Sequence, residues 1–168
     1  YGRSGLLAHS FSSIVDYYEN SASNWERQAL IKLRPVAGDL DFGRQVAERL
    51  SLFPLGVDPA NIAAEIKMQR SLAASRRSAI TNGVDIKSEA GGIRDIEFLV
   101  QGLQLLHAGK IPEILSRNTL AGLQKLVESN IVDPATGAAL RKDYLFLRRV
   151  EHFLQLLDDR QVHIVPAD

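Results

Sequence analysis

Residues 91–101, Gly-Gly-Ile-Arg-Asp-Ile-Glu-Phe-Leu-Val-Gln, constrain the fold of this chain more than any other stretch. A glycine pair opens a segment with helical periodicity. At about 100° per residue, Ile96, Leu99, Val100, Leu103, Leu106 and His107 share one broad face, and Phe98 and Leu105 form a second apolar strip on the far side. Arg94, Glu97, Gln101 and Gln104 run between them as a narrow polar stripe. A helix apolar on both flanks is covered on both flanks. The stripe must then find partners inside the protein or line a site.

Helical signals continue on either side. Ser10 caps a helix whose Phe11, Ile14, Val15 and Tyr18 follow the i, i+3, i+4, i+7 pattern. Asn24 caps a second, from Trp25 to about Arg34, and Pro35 stops it. Asp39 starts a third, to about Leu52. Asp58-Pro59, an N-cap followed by proline at the first helical position, starts a fourth that runs to about Ala79. Residues 81–92 are a loop rich in turn residues. The central helix spans Ile93 to about Ala108 and ends at Gly109. Ser116 caps a helix through about Glu128, and Asp133-Pro134 opens the longest, to about Asp159. Only Leu6 to Ala8 and Val84 to Lys87 have strand character. The expected class is all-α, a bundle-like domain of about six or seven helices.

The longest helix repeats the central design. Tyr144, Arg148, Glu151 and Gln155 fall within about 60° of one another, with Leu145 and Leu156 beside them. Phe146, Leu147, Val150, Phe153, Leu154 and Leu157 make the main apolar face, which is expected to be core. The simplest arrangement sets the two polar stripes face to face, Arg94 meeting Glu151 and Arg148 meeting Glu97. Such a network either fixes the register of two core helices or touches a ligand at one end.

Composition sets outer limits. The 168 residues suit one domain, or one domain plus a fragment. The 45% apolar and 24% charged residues are those of a soluble globular protein. A net charge of zero gives no global field for nucleic acid or an anionic membrane. No apolar run is long enough to span a bilayer and no signal peptide opens the chain. Absence of cysteine excludes disulfides and thiolate metal sites and agrees with a cytoplasmic location. Tyr1-Gly2-Arg3-Ser4-Gly5 reads as the interior of a longer polypeptide.

Common catalytic signatures are missing: no Gly-x-Gly-x-x-Gly, Walker loop, His-Glu-x-x-His or Gly-x-Ser-x-Gly occurs. His9, His107, His152 and His163 are scattered without metal-ligand spacing. Asp158-Asp159 sits against the helix dipole as a solvated loop start, and Arg76-Arg77 favours its own helix end without needing nucleic acid. The loop before the central helix is the better place for chemistry. Gly91-Gly92 would let a ligand approach the backbone, the helix amides behind it favour anions, and Lys87 and Arg94 flank it. A plain turn is the competing reading.

Several separated motifs carry a family resemblance. Gly91 to Gln101 resembles the signature of the bifunctional glutamine synthetase adenylyltransferase/adenylyl-removing enzyme family. Trp25-Glu26-Arg27-Gln28-Ala29-Leu30 with Arg34 and Val36-Ala37-Gly38-Asp39 is similar to its Trp-Glu-x-Gln-Ala-Leu…Arg-x-x-x-Gly-Asp segment. Gly2, Gly5 and Leu6 match the end of an Arg-Pro-x-Gly-x-x-Gly-x-Leu stretch, and Tyr144 to Arg149 with Glu151, Leu154 and Gln155 resembles the closing helix. Pro35 and Ser88-Glu89-Ala90 depart from the family pattern.

The resemblance implies two similar halves, each a polymerase-β-type nucleotidyltransferase domain followed by a helical domain. One half removes AMP from a tyrosine of glutamine synthetase by phosphorolysis, and the other adds it from ATP. Ser116-Arg117 and the Phe146-Leu147-Arg148-Arg149 run look like the removing half. Residues 1–9 would then be the tail of the nucleotidyltransferase domain and residues 10–168 its helical domain. The family's Mg2+-binding carboxylates lie upstream of Tyr1, so the segment itself would carry no catalytic residue or metal ligand. Lys87, Gly91, Gly92 and Arg94 would form a corner facing nucleotide or phosphate, exposed beside the amino-terminal end. Arg94, Glu97, Gln101, Tyr144, Arg148, Glu151 and Gln155 would form the structural polar network. Implied partners are glutamine synthetase, a PII-type signal protein and the upstream nucleotidyltransferase domain. A purely structural or signal-receiving module, and the helical domain of a related uridylyltransferase, are the alternatives.

Overall fold

The computed structural model describes residues 8–56, 61, 62, 64, 66–68, 70, 71, 83–158, 164 and 165. Among them the chain is all-α apart from one two-stranded ribbon. The helices are α1 (Phe11–Asn20), α2 (Asn24–Ala29), α3 (Leu40–Leu50), the helical residues within 61–71 (α4), α5 (Ile93–Ala108), α6 (Thr119–Glu128) and α7 (Pro134–Asp158). Strand β1 (Val84–Asp85) pairs antiparallel with β2 (Ile164–Val165). Most of the expected tail at residues 1–9, the start signal at Asp58-Pro59, and Arg76-Arg77, Asp159 and His163 lie outside the described residues.

Local chemistry sets the helix ends. The Ser10 hydroxyl accepts from the Ser13 amide, and the Asp39 carboxylate from the Phe42 amide, as N-caps do. Asp133 accepts from the Ala135 and Thr136 amides, with Pro134 in the first turn of α7. Two expected caps move. The second helix is capped by Ser23 in place of Asn24, because the Ser23 amide and hydroxyl both donate to the Glu26 carboxylate, at 2.9 and 2.7 Å. The cap before α6 is Asn118, not Ser116, and it accepts from the Ala121 amide at 3.0 Å. The second helix is also shorter than its periodicity suggests. It tightens into a 3-10 turn at Leu30–Lys32, ahead of Pro35.

α5 is the axis of the domain. Val100 packs with Ile114, Leu123, Leu126 and Val132 against α6 and the start of α7. Leu105 meets Ile31 and Ile62, and Ile93 and Ile96 meet Tyr144 and Leu147. The start of α5 thus meets the middle of α7, while the middle of α5 meets the start of α7, so the two run antiparallel. They lie side by side as expected, with the Tyr144 and Glu151 side of α7 toward α5. The packed line of α7 is Leu140, Tyr144, Leu147 and Glu151, and the expected core residues Phe146, Phe153 and Leu157 are exposed. Polar groups on α7 that meet partners across the α5 groove are satisfied there, which lets that side be the buried one.

Candidate functional site

The loop from Gly83 to Gly92 is held by its own backbone and by one buried carboxylate. Asp85 Oδ1 accepts from the Lys87 and Ser88 amides, each at 2.9 Å, and the ribbon with Ile164–Val165 fixes the loop's start. The chain then folds back on itself. The Gly92, Ile93 and Arg94 amides donate to the carbonyls of Glu89, Ile86 and Lys87 at 2.8, 3.0 and 3.0 Å. The Gly91 amide donates to Asp95 Oδ2 at 2.9 Å, and Arg70 of α4 holds the same oxygen at 2.8 Å.

This geometry corrects the expected role of the paired glycine. The amides at the start of α5 are occupied by the loop's own carbonyls and by Asp95, so they offer no anion cradle. Gly91 is required by its φ of +80°, and a side chain there would meet open space. Gly92 is required by crowding, since a Cβ would lie 2.7 Å from the Ile86 carbonyl oxygen. Both glycines build the turn. The anion-binding capacity of the corner rests on side chains alone.

Those side chains converge on Glu151, which is 1% exposed. Lys87 Nζ approaches Glu151 Oε1 at 3.4 Å from the loop, and Arg148 Nη1 donates to Oε2 at 2.6 Å from one turn earlier on α7. Arg148 Nη2 also lies 3.4 Å from His152 Nε2. One buried carboxylate therefore grips two partly exposed cations on different elements. Arg94, half-buried on the first turn of α5, makes no side-chain hydrogen bond or ion pair among the described residues. Lys87 and Arg148 against Glu151 leave one positive charge over at this contact, and Arg94 stands on the adjoining first turn of α5. Such a donor set suits an anion and not Mg2+, and no group of three or more His, Asp or Glu gathers among the described residues to hold a metal.

The expected stripe-to-stripe ion pairs do not form. Neither Arg94–Glu151 nor Arg148–Glu97 is present, and of the four residues only Glu151 is buried. The register explains it: Glu97 lies level with Tyr144, whose hydroxyl donates to Glu97 Oε1 at 2.9 Å. With antiparallel helices this carries Glu151 past the start of α5, level with the loop and Lys87. Burial and the Glu97 carboxylate both raise the Tyr144 pKa. Further along, Gln101 accepts from Gln28 at 2.8 Å, and fully buried Gln104 donates to the Ile114 carbonyl at 2.7 Å. Those two positions are structural. Gln155 is half-buried and makes no hydrogen bond among the described residues.

Lys32 belongs to the same polar seam and was not singled out from sequence. Its Nζ donates to the Arg117 carbonyl at 2.6 Å and lies 3.3 Å from Thr119 Oγ1. Burial lowers its pKa, while nearby Glu97 pulls the other way. The available signal was spacing: Lys32 follows the inward-facing Gln28 by four residues. An open cleft of about 710 Å3 lies elsewhere, between Pro35, α3 and residues 115–118, and none of the expected site residues lines it. Among the described residues no helix is long and apolar enough to cross a membrane.

Residues 60–168 match the family model described as GlnD PII-uridylyltransferase, and residues 1–49 match the model for Glutamate-ammonia ligase adenylyltransferase. A protein of Stenotrophomonas maltophilia (strain R551-3), named bifunctional glutamine synthetase adenylyltransferase/adenylyl-removing enzyme, is 39% identical over 100% of this chain. Proteins of the same name from Hahella chejuensis and Xanthobacter autotrophicus are 38% and 40% identical over 100% and 97% of it. The chain spans only 18%, 18% and 17% of the length of these relatives.

Proposed function

We propose that this chain, which belongs to the GlnD PII-uridylyltransferase family through residues 60–168, is the helical domain of a bifunctional glutamine synthetase adenylyltransferase/adenylyl-removing enzyme. The adenylyl reading is preferred to a uridylyl one because the similarity to proteins of that name runs through residues 1–59 as well. In this reading the domain assists removal of AMP from a glutamine synthetase tyrosine by phosphorolysis, in the cytoplasm, while a second half adds it from ATP. The two-metal chemistry on Mg2+ belongs to a nucleotidyltransferase domain outside this chain. Glutamine synthetase is the protein substrate and a PII-type protein the regulator.

The observation that carries the reading is the corner built on Glu151. A buried carboxylate fixes Lys87 and Arg148, and Arg94 on the adjoining turn of α5 has no side-chain partner among the described residues, so positive charge is left over on this part of the surface. Phosphoryl oxygens reaching that surface would meet those cations. Lys87 contributes charge, and Arg94 contributes a planar fork for two oxygens. Gly91 and Gly92 serve by making the turn that brings Lys87 against α7.

The test is kinetic and uses the intact polypeptide. Lys87→Ala should lower phosphorolysis of adenylylated glutamine synthetase about 10- to 100-fold, the value of one charge-assisted contact. Lys87→Arg should retain most of the rate. The purified 168-residue chain should show no phosphorolysis, because in this reading the paired metal carboxylates belong to the nucleotidyltransferase domain. Equal rates for Lys87→Ala and its parent at saturating phosphate and substrate would leave the domain as scaffold only.

A further inference from the structure

α7 carries apolar residues well beyond the strip that the described residues cover. Its packed line, Leu140, Tyr144, Leu147 and Glu151, faces α5. About 120° round the helix, at about 100° per residue, Phe146, Val150, Phe153 and Leu157 make a second line, with Leu156 beyond it. Phe146 is 64% exposed, Phe153 61%, Leu157 69% and Leu156 83%. These four side chains leave about 500 Å2 of mostly apolar surface on three turns of one helix, a patch of the size that marks an interaction site.

The charges beside the patch say what fits it. Asp143 stands on one edge of the apolar line, and Lys142 and Arg149 follow the other, seven residues apart. Both are exposed and make no ion pair among the described residues. That edge, formed by residues 142, 145, 149, 152 and 156, carries no carboxylate. A second copy of this chain is a poor occupant on two grounds. Two such faces together would bury about 1,000 Å2, short of the roughly 1,200–2,000 Å2 of a stable interface between separate chains. An antiparallel symmetric pair would also set the basic edge against its own copy.

We infer that the outer face of α7 seats an amphipathic helix from elsewhere in the same polypeptide, with an apolar line along Phe146, Val150, Phe153 and Leu157 and carboxylates against Lys142 and Arg149. In the relatives that match it, this stretch is 18% of the polypeptide. A tethered helix has an effective concentration in the millimolar range, which offsets the small contact area. The inference stands on α7 alone and is independent of the anion corner.

The experiment uses the intact polypeptide, with a single cysteine introduced as Phe153→Cys, Leu157→Cys or, exposed beside α6 and off the apolar line, Arg141→Cys. Thiol labelling at positions 153 and 157 should be about tenfold slower than at 141 or more. Adding Arg149→Glu to Leu157→Cys should restore fast labelling by repelling the acidic occupant. Hydroxyl-radical footprinting of the unsubstituted polypeptide reads the same face without any replacement, and Phe146 and Phe153 should be oxidised more slowly than Phe42, which is 49% exposed. Equal labelling at all three positions would overturn the inference. So would insensitivity to Arg149→Glu, or protection that disappears on dilution, which would indicate a separate partner.

Discussion

Replacing Glu151 by glutamine tests the anchor of the candidate site directly. The substitution keeps the shape of a side chain that is 1% exposed, but removes the charge on which Lys87 and Arg148 converge. Breaking a buried ion pair costs roughly 3–5 kcal/mol when the remaining charge is stranded. Here the stranded groups are 38% and 37% exposed, so water recovers part of that energy. The expected loss is about 2 kcal/mol, most of it from the 2.6 Å bond to Arg148. For a domain of this size that lowers Tm by roughly 4–8 °C. Urea denaturation of the parent, Glu151→Gln, Lys87→Ala and the double variant closes a cycle. Lys87→Ala alone should cost about 1 kcal/mol or less, and the coupling should be about 0.5–1 kcal/mol. A loss below about 0.5 kcal/mol for Glu151→Gln, or strictly additive single effects, would refute the view that Glu151 holds the corner together.

Two further perturbations separate local causes. Gly92→Ala should destabilise by roughly 2–3 kcal/mol, because its Cβ meets backbone oxygen that cannot move aside. Gly91→Ala should cost only about 1–2 kcal/mol for the left-handed backbone, and denaturant midpoints in the reverse order would contradict the geometry. At acid pH, burial raises the Glu26 pKa, but hydrogen bonds from Tyr17 and Ser23 outweigh it and hold the group below its ordinary 4.5. The stabilisation is therefore complete above pH 4.5 and is lost as pH falls through the lowered folded value. Urea titrations at stepped pH should show a shallower acid limb for Glu26→Gln, and superimposable limbs would count against the bonded carboxylate.

What the sequence by itself determined was local. Caps at Ser10, Asp39 and Asp133, the stop at Gly109 and the break before Pro35 act within a turn of their own position, so α1, α3, α5 and α7 were legible almost to the residue. The polar stripes were legible too, because helical spacing alone puts Arg94, Glu97 and Gln101 in one line. Partners were not. A helical wheel shows which residues share a face of α7 but not how far the helix is slid or turned against α5. That shift gave Glu151 to Lys87, Glu97 to Tyr144, and left Arg94 without a side-chain partner among the described residues. Likewise, glycine at 91 and 92 announced a special backbone, whereas only the folded loop showed its own carbonyls filling the space a ligand would have needed. Which apolar side of α7 is covered was also a tertiary decision. Both sides offer similar hydrophobic surface, and the choice falls to the side whose tyrosine and glutamate find partners across the groove.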